Sequence, residues 1–296
     1  MKRFASPAPY DLHLHTYWSY DASARVESHF KRARELGVRC IAITDHHGLD
    51  SRDEVRECAR EYPEVRAIPA AELTVTTSIG SIDLLCYGFP QDFSPELQRL
   101  LDRYHTWQRE MGVAWSKGLT ALGHDYGEAE RLRLLESYRP AHVIAVQGNT
   151  HANNGLQLDH CVRRGFIADA DEYDELTIQA RKRASFPAYP RVEEVVPTVK
   201  AAGVKVAIAH PHGYFSKGER TAMDALRLEC QLDGIECAHH SIPQEFTPIY
   251  RQYCVEHGLF SVGGSDSHRE EQVREVFARH GGEDAWLEEF IGCLDG

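Results

Sequence analysis

Residues 38–47 read VRCIAITDHH, a short apolar run that ends in one acidic and two imidazole side chains. Its first part, Val38–Thr44, is rich in β-branched residues and predicts a β-strand. Amphipathic helices are predicted on both sides, at Ala24–Leu36 and Asp53–Glu61. Because a further strand is predicted at Tyr10–His15, the N-terminal part of the chain indicates alternating strands and helices.

The same alternation extends to about residue 90 and returns after residue 190. The further predicted strands are Val65–Ala70, Ser81–Phe89, Val204–Ala209, Gly234–Cys237 and Leu259–Gly263. The further helices are Val192–Ala202, Thr221–Leu232, Phe246–His257 and a helical tail. Repeated strand–helix units predict a parallel sheet, closed or open.

The middle of the chain breaks this pattern, because it contains helical stretches without convincing strands. These stretches are Glu96–Leu122, Ala129–Glu136, Gly155–Arg164 and Glu172–Arg183. We therefore predict an α/β barrel formed by residues 1–94 and 190–296. Residues 95–189 would be a helical insertion that forms a lid or a substrate wall.

Composition excludes several classes of protein. The chain has 296 residues and a formal net charge of −12, which disfavours binding to duplex nucleic acid. Its longest apolar runs, such as Val204–Ala209, are too short to span a membrane. The segment Met1–Ser6 is not followed by the apolar core of a signal peptide, so we expect a cytoplasmic protein. The eight cysteines form no CxxC pair and are expected to be buried and reduced.

Imidazole and carboxylate side chains stand at the ends of five predicted strands. His13 and His15 alternate along the first strand and therefore point to one side. The other four ends carry Asp45-His46-His47, Glu72, His210-Pro211-His212 and Asp266-Ser267-His268. Because βα barrels place their active sites at the carboxyl ends of strands, these side chains predict one polynuclear metal site. Imidazole and carboxylate without thiolate favour Zn, Mn or Fe.

The order of these motifs resembles the PHP (polymerase and histidinol phosphatase) family. The motifs are HLHT at 13–16 followed by Asp21, ITDHH at 43–47, AAEL at 70–73, IAHPHG at 208–213 and GGSDSH at 263–268. The resemblance implies a distorted PHP-type (β/α) barrel and phosphoester hydrolysis by a metal-bridging hydroxide. It is closest to members that act on small nucleotides and related phosphates and that carry a helical insertion.

The resemblance also implies the ligands of two or three divalent metal ions (Mn, Fe or Zn). The first ion would be held by His13, His15, Glu72 and Asp266, the second by Glu72 and His210, and the third by Asp21, His46 and His268. Many relatives supply a histidine to the second ion from the strand at 81–85. Here Asp83 or His151 is the candidate replacement. The resemblance further implies that Glu72 and Asp266 are the central catalytic side chains, and His151, Asp45 or water would protonate the leaving oxygen.

Two groups are candidates for substrate binding. Arg181, Lys182 and Arg183 form either a phosphate clamp or the solvated end of a helix. His240, next to His239, either contacts substrate or lies in an exposed loop.

The function that these residues predict is metal-dependent hydrolysis of a small phosphomonoester or a small phosphodiester, cyclic ones included, of nucleotide or sugar-phosphate type. The alternatives are histidinol-phosphate phosphatase, a 5′ exonuclease on short oligonucleotides, and a non-catalytic binding module. The expected partner is a small phosphorylated substrate, without a membrane or duplex nucleic acid.

Overall fold

The computed structural model describes residues 7–295. Met1–Ser6 and Gly296 lie outside the described residues, and the expectation about a signal peptide rests in part on Met1–Ser6. The chain forms two compact units. Among the described residues, the first comprises 7–16, Ala24–Leu101 and 189–295, and the second comprises Tyr17–Ser23 and Asp102–Ala188. Within residues 7–295, no helix is long and apolar enough to cross a membrane.

The first unit contains one sheet of seven strands that follow their order in the chain. The strands are β1 (Tyr10–Leu14), β2 (Cys40–Ile43), β3 (Arg66–Thr77), β4 (Gly80–Tyr87), β5 (Lys205–Ile208), β6 (Gly234–Ala238) and β7 (Phe260–Gly263). The α-helices of the described residues are α1 (Val26–Leu36), α2 (Arg52–Glu61), α3 (Pro95–Ala121), α4 (Glu128–Glu136), α5 (Ala141–Gln147), α6 (Asn154–Arg163), α7 (Tyr173–Arg183), α8 (Val192–Ala201), α9 (Arg220–Glu229), α10 (Thr247–His257), α11 (Glu270–Glu275) and α12 (Asp284–Asp295).

Strand β4 is the exception to the parallel sheet. Strands β1–β3 and β5–β7 pair in parallel, whereas β4 runs antiparallel to both of its neighbours. The expectation of an all-parallel sheet is wrong here because β3 continues past Ala70 to Thr77. The two residues between Thr77 and Gly80 then turn the chain directly into β4, and Gly80 adopts a φ of 117° that suits glycine.

The sheet is nearly closed by contacts between the end of β7 and β1. The backbone N–H of Asp266 donates to the carbonyl of His13 at 2.8 Å, and that of His15 donates to Ser267 at 3.0 Å. The buried carboxylate of Asp11 accepts from the backbone N–H groups of Ser265 and Ala278 at 2.9 and 2.7 Å. The distorted (β/α) barrel implied by the resemblance is therefore confirmed.

Apolar side chains fill one end of the barrel. Alternate strand residues such as Leu12, Ile68 and Val262 form this core, which α12 covers with Phe290. The register of β1 against β2 shifts between Asp11 and Leu14. Because such an irregularity re-aims side chains, it accounts for Leu12 packing in the core while the next residue faces the polar end.

The second unit is helical and is organised around two buried arginines. The fully buried Arg131 donates from Nε to the side chain of Asn149 and the carbonyl of Thr150, both at 3.0 Å. Arg139 donates to Gln147 and to the Thr150 hydroxyl. These bonds hold the segment that leads to His151.

Gly264 supports a prediction about the contact that closes the barrel. A Cβ added there would lie 2.4 Å from the His13 Cβ and 2.5 Å from the His13 backbone nitrogen. We expect Gly264→Ala to lower the free energy of unfolding by about 1–3 kcal/mol, because β1 would have to move. Urea unfolding followed by circular dichroism measures this change.

Gly292 is the matched control, since it lies within α12 and a Cβ added there would meet nothing within 4 Å. Gly292→Ala should raise the free energy of unfolding by about 0.5–1 kcal/mol through helix propensity. Equal effects of the two substitutions would contradict the close approach of Gly264 to β1.

Candidate metal centre

Four imidazoles surround the carboxylate of Glu72, which is 1% exposed. Its Oε2 lies 3.1 Å from His13 Nε2, 3.2 Å from His15 Nε2 and 3.4 Å from His46 Nδ1. Its Oε1 lies 3.1 Å from His210 Nε2. Glu72 therefore contacts side chains from β1, from the end of β2 and from the end of β5. It lies in the middle of β3 rather than at its end, level with the residues that follow β2.

Asp266 forms the second carboxylate of the same cluster. Its Oδ1 lies 3.3 Å from His13 Nε2 and 3.1 Å from His15 Nε2. Its Oδ2 lies 3.4 Å from His239 Nε2. The His268 ring stacks on the His15 ring with a centroid separation of 4.1 Å.

Three residues at this end of the barrel have left-handed backbone conformations without being glycine. The φ values are 64° at His47, 29° at His210 and 54° at Asp266. Such conformations cost on the order of 1–3 kcal/mol each and persist only where surrounding contacts hold them. Here the N–H of His47 donates to the Glu72 carbonyl, and the N–H of Asp266 donates to His13. Concentrated strain of this kind points to a functional site.

Electrostatics link the carboxylates to the imidazoles. Burial alone would raise the pKa of Glu72, but the adjacent His13 and His46 hold it well below its usual range. Burial alone would lower the pKa of His13, but Glu72, Glu236 and Asp266 raise it well above its usual value. The pKa of His210 is raised to about 9, because the contact with Glu72 outweighs burial. The carboxylates are thus stabilised as anions by positive charge.

These donors fit divalent metal ions. The Nε2 atoms of His13 and His15 are 3.1 Å apart, and both face Glu72 and Asp266. His13, Glu72 and His210 form one group with donor atoms within 4.8 Å, and His13, His15 and Asp266 form another. Imidazole and carboxylate donors around shared carboxylates are the ligands of Zn, Mn and Fe sites.

Asp83 lies beside this cluster, on the strand that follows Glu72. Its Oδ1 accepts from the Thr74 hydroxyl at 2.6 Å, and its Oδ2 accepts from the Tyr214 hydroxyl at 3.1 Å. The Oδ2 atom is 3.9 Å from His210 Nε2. Asp83 therefore points to the same end of the barrel as Glu72, and its role as a ligand stays a prediction.

Asp45 is buried and holds the backbone after β1. Its carboxylate accepts from the backbone N–H of Thr16 at 2.7 Å and from the Thr16 hydroxyl at 2.9 Å. Burial raises the pKa of this carboxyl. Of the two neighbouring histidines, His239 is buried against Asp266, whereas His240 is exposed with its ring 4.1 Å from that of His239.

The remaining predicted site residues belong to the second unit. The Asp21 carbonyl accepts from the Asn153 side chain at 3.1 Å. His151 is buried, with its ring 4.0 Å from that of Tyr20. At the end of α7 the Arg181 guanidinium lies 4.7 Å from the Phe186 ring centroid, and Lys182 and Arg183 are exposed. The functional roles of these residues stay predictions.

Glu236 is a functional candidate that the sequence patterns did not identify. This fully buried residue of β6 contacts His13 Nδ1 at 3.0 Å, and it accepts from the His210 backbone N–H at 2.6 Å. A charged residue within the apolar strand 234–238 was the available signal, because glutamate is almost never fully buried without a partner.

A (β/α) barrel with histidines and carboxylates clustered at one end is typical of metal-dependent hydrolases. Residues 11–184 match the model of the PHP domain, and the chain belongs to the PHP domain family. It is accordingly a metal-dependent phosphoesterase, a hydrolase that acts on phosphoric ester bonds.

Two solved structures share the fold. A predicted metal-dependent phosphoesterase from Bifidobacterium adolescentis is 21% identical with a TM-score of 0.71, and the match covers 96% of each chain. An amidohydrolase from Chromobacterium violaceum with bound sulfate and no metal is 20% identical with a TM-score of 0.70, again over 96% of each chain. No curated protein sequence matches the chain.

The central position of Glu72 leads to a prediction about metal content. Glu72→Gln keeps the shape of the side chain but removes the charge, so we expect it to retain at least one metal ion fewer than the unchanged protein. Elemental analysis after dialysis measures the number of bound ions.

Glu130→Gln is the matched control, because Glu130 is also buried but pairs with Arg133 and Arg164 of the second unit. It should leave the metal content unchanged. Identical metal content in the protein and in Glu72→Gln would show that Glu72 is not a ligand.

Proposed function

We propose that the chain hydrolyses a small phosphomonoester or a small phosphodiester, cyclic ones included, of nucleotide or sugar-phosphate type. The observation that carries this proposal is the convergence of six imidazoles on the carboxylates of Glu72 and Asp266 at one end of the barrel. The donor atoms of His13, Glu72 and His210 lie within 4.8 Å of one another, and so do those of His13, His15 and Asp266, which is close enough for each group to hold an ion.

The proposed ligands fall into three groups. His13, His15, Glu72 and Asp266 would hold the first ion, Glu72, His210 and either Asp83 or His151 the second, and His46, His268 and Asp21 the third. Mn, Fe or Zn suits these donors. When bound, such ions activate water as the nucleophile and neutralise charge on the phosphoryl oxygens.

Exposure supports a direction of approach for the substrate. Glu72 is 1% exposed and the side chain of Asp266 is 18% exposed, while those of His210 and His268 are 23% and 21% exposed. Glu72, His13 and His15 would therefore form the floor of the site. The phosphoryl group would approach from the side of Asp266, His210 and His268.

The leaving oxygen needs a proton donor. The Asp45 carboxylate already accepts hydrogen bonds from the backbone N–H and the hydroxyl of Thr16. His151 or water is therefore the better candidate. The net charge of −12 favours a small substrate over a nucleic-acid duplex, because a duplex would be repelled by the average surface.

A substrate screen tests the proposal. The protein loaded with Mn is incubated with nucleotides, nucleoside bisphosphates, histidinol phosphate, sugar phosphates and cyclic phosphodiesters, and released phosphate or product is measured. We expect turnover of at least one small ester, and a loss of at least about 10³-fold in Glu72→Gln. Turnover that is equal in the two proteins, or none with any ester, would contradict the proposal.

The arginines at the end of α7 lead to a prediction about specificity. If they bind a second phosphate, Arg181→Ala should raise KM for a bisphosphate or nucleotide more than for a minimal aryl phosphate. Arg60→Ala, which changes an arginine in the last turn of α2, is the control and should alter neither KM. An equal effect of Arg181→Ala on the KM of both substrates would indicate that Arg181, Lys182 and Arg183 are only the solvated end of a helix.

The second ion should be the most weakly bound of the three, because Asp83 or His151 would replace the strand histidine that many relatives supply to it. We expect dialysis to leave two tightly bound ions and to remove one labile ion, and Asp83→Asn to weaken only the labile one. Elemental analysis and anomalous scattering measure occupancy, with the exposed Asp53→Asn as control. Three equally occupied ions with neither Asp83 nor His151 among their ligands would rule this out.

A further inference from the structure

We propose that Glu236 is a positioning residue that holds His13 and His210 in the geometry for binding metal. This inference rests on the proposed function, since it assumes that both histidines are ligands. It assigns a role to Glu236, which is neither a proposed metal ligand nor a proposed substrate contact.

The contacts of Glu236 join two distant parts of the barrel. Its Oε1 accepts from His13 Nδ1 of β1 at 3.0 Å, and its Oε2 accepts from the backbone N–H of His210, just after β5, at 2.6 Å. Both His13 and His210 also contact Glu72 through Nε2 at 3.1 Å. The four residues therefore form a closed ring with one carboxylate on each side.

The position of Glu236 argues against a direct role as a ligand. His13 turns Nε2 toward Glu72 and Asp266 and turns Nδ1, on the other side of its ring, toward Glu236. The second oxygen of Glu236 is occupied by the His210 backbone. The imidazole of His13 thus lies between Glu236 and Glu72.

The bond to His13 has a defined chemical consequence. An Nδ1–H that donates to a carboxylate leaves the Nε2 lone pair free for a metal ion and makes it more basic. Carboxylates in this position behind a metal-binding histidine typically change metal affinity by 10–100-fold when they are removed.

The bond to His210 has a second, mechanical consequence. His210 has a φ of 29°, a conformation that non-glycine residues rarely adopt. A charge-assisted hydrogen bond to its N–H stabilises this backbone geometry. The register of β6 against β7 shifts between Glu236 and Ala238. Such an irregularity re-aims side chains, and Glu236, which contacts both His13 and His210, lies at its start.

Glu236→Gln tests the proposal because an amide offers only one acceptor oxygen. Either His13 or the His210 N–H must then face an NH₂ group. We expect the affinity for Zn or Mn, measured by competition with a chelator, to fall by about 10–100-fold.

Cys237→Ala is the matched control. Cys237 is the next residue of β6, is buried, and contacts Cys254 Sγ at 3.7 Å instead of the cluster. It tests whether any packing defect in this strand weakens metal binding. Its metal affinity should equal that of the unchanged protein.

A second measurement reads the His13 bond directly and does not depend on catalysis. In nitrogen-15 NMR of the zinc-loaded protein, the Nδ1–H of His13 should give a proton signal protected from exchange, assigned by its loss in His13→Gln. The signal should persist in Cys237→Ala and exchange rapidly, or shift, in Glu236→Gln. If Glu236→Gln does not fold, Glu236→Asp, which is one methylene shorter, should show the same loss of affinity.

The outcomes separate this inference from the proposed function. Unchanged metal affinity in the Glu236 variants, or no protected Nδ1–H signal in the unchanged protein, would overturn the role of Glu236. Weaker metal binding in Glu236→Gln together with no turnover of any ester would support the role of Glu236 and overturn the proposed substrate class.

Discussion

The contact between the buried Glu72 carboxylate and the imidazoles around it is the interaction on which the rest of the barrel depends. A buried carboxylate is costly unless positive charge or hydrogen bonds compensate it. Glu72 is compensated by His13, His15, His46 and His210. These histidines come from three different strands, so the ends of those strands must lie at the same height along the barrel axis.

Several buried carboxylates outside the cluster hold the strand ends at this height. Asp11 holds the backbone at Ser265 and Ala278, which joins β1 to the end of β7. Asp45 holds Thr16, and Glu236 holds the His210 backbone. Each accepts from a backbone N–H group, so the acidic side chains fix the strand ends from which the histidines project. Contacts of buried carboxylates therefore stabilise both the barrel and its candidate metal centre.

Much of this arrangement could be predicted from the sequence, because strand ends with His, Asp or Glu repeat along the chain. His13 and His15 meet at Glu72 as their alternate positions imply. The β3–β4 hairpin could not be predicted from alternation, since its two-residue turn breaks the helix-after-strand rule. Glu236 was missed because one glutamate in an apolar strand has no motif, and its partners are 223 and 26 residues away.

The central claim is that metal ions held by this cluster support the hydrolysis of a phosphate ester. The most direct test is to strip the protein of metal with a chelator, restore Mn stepwise, and measure bound Mn and the rate of ester hydrolysis in the same samples. We predict no turnover in the stripped protein, and a rate that rises as the sites fill. Full turnover in protein that retains no metal would contradict the claim.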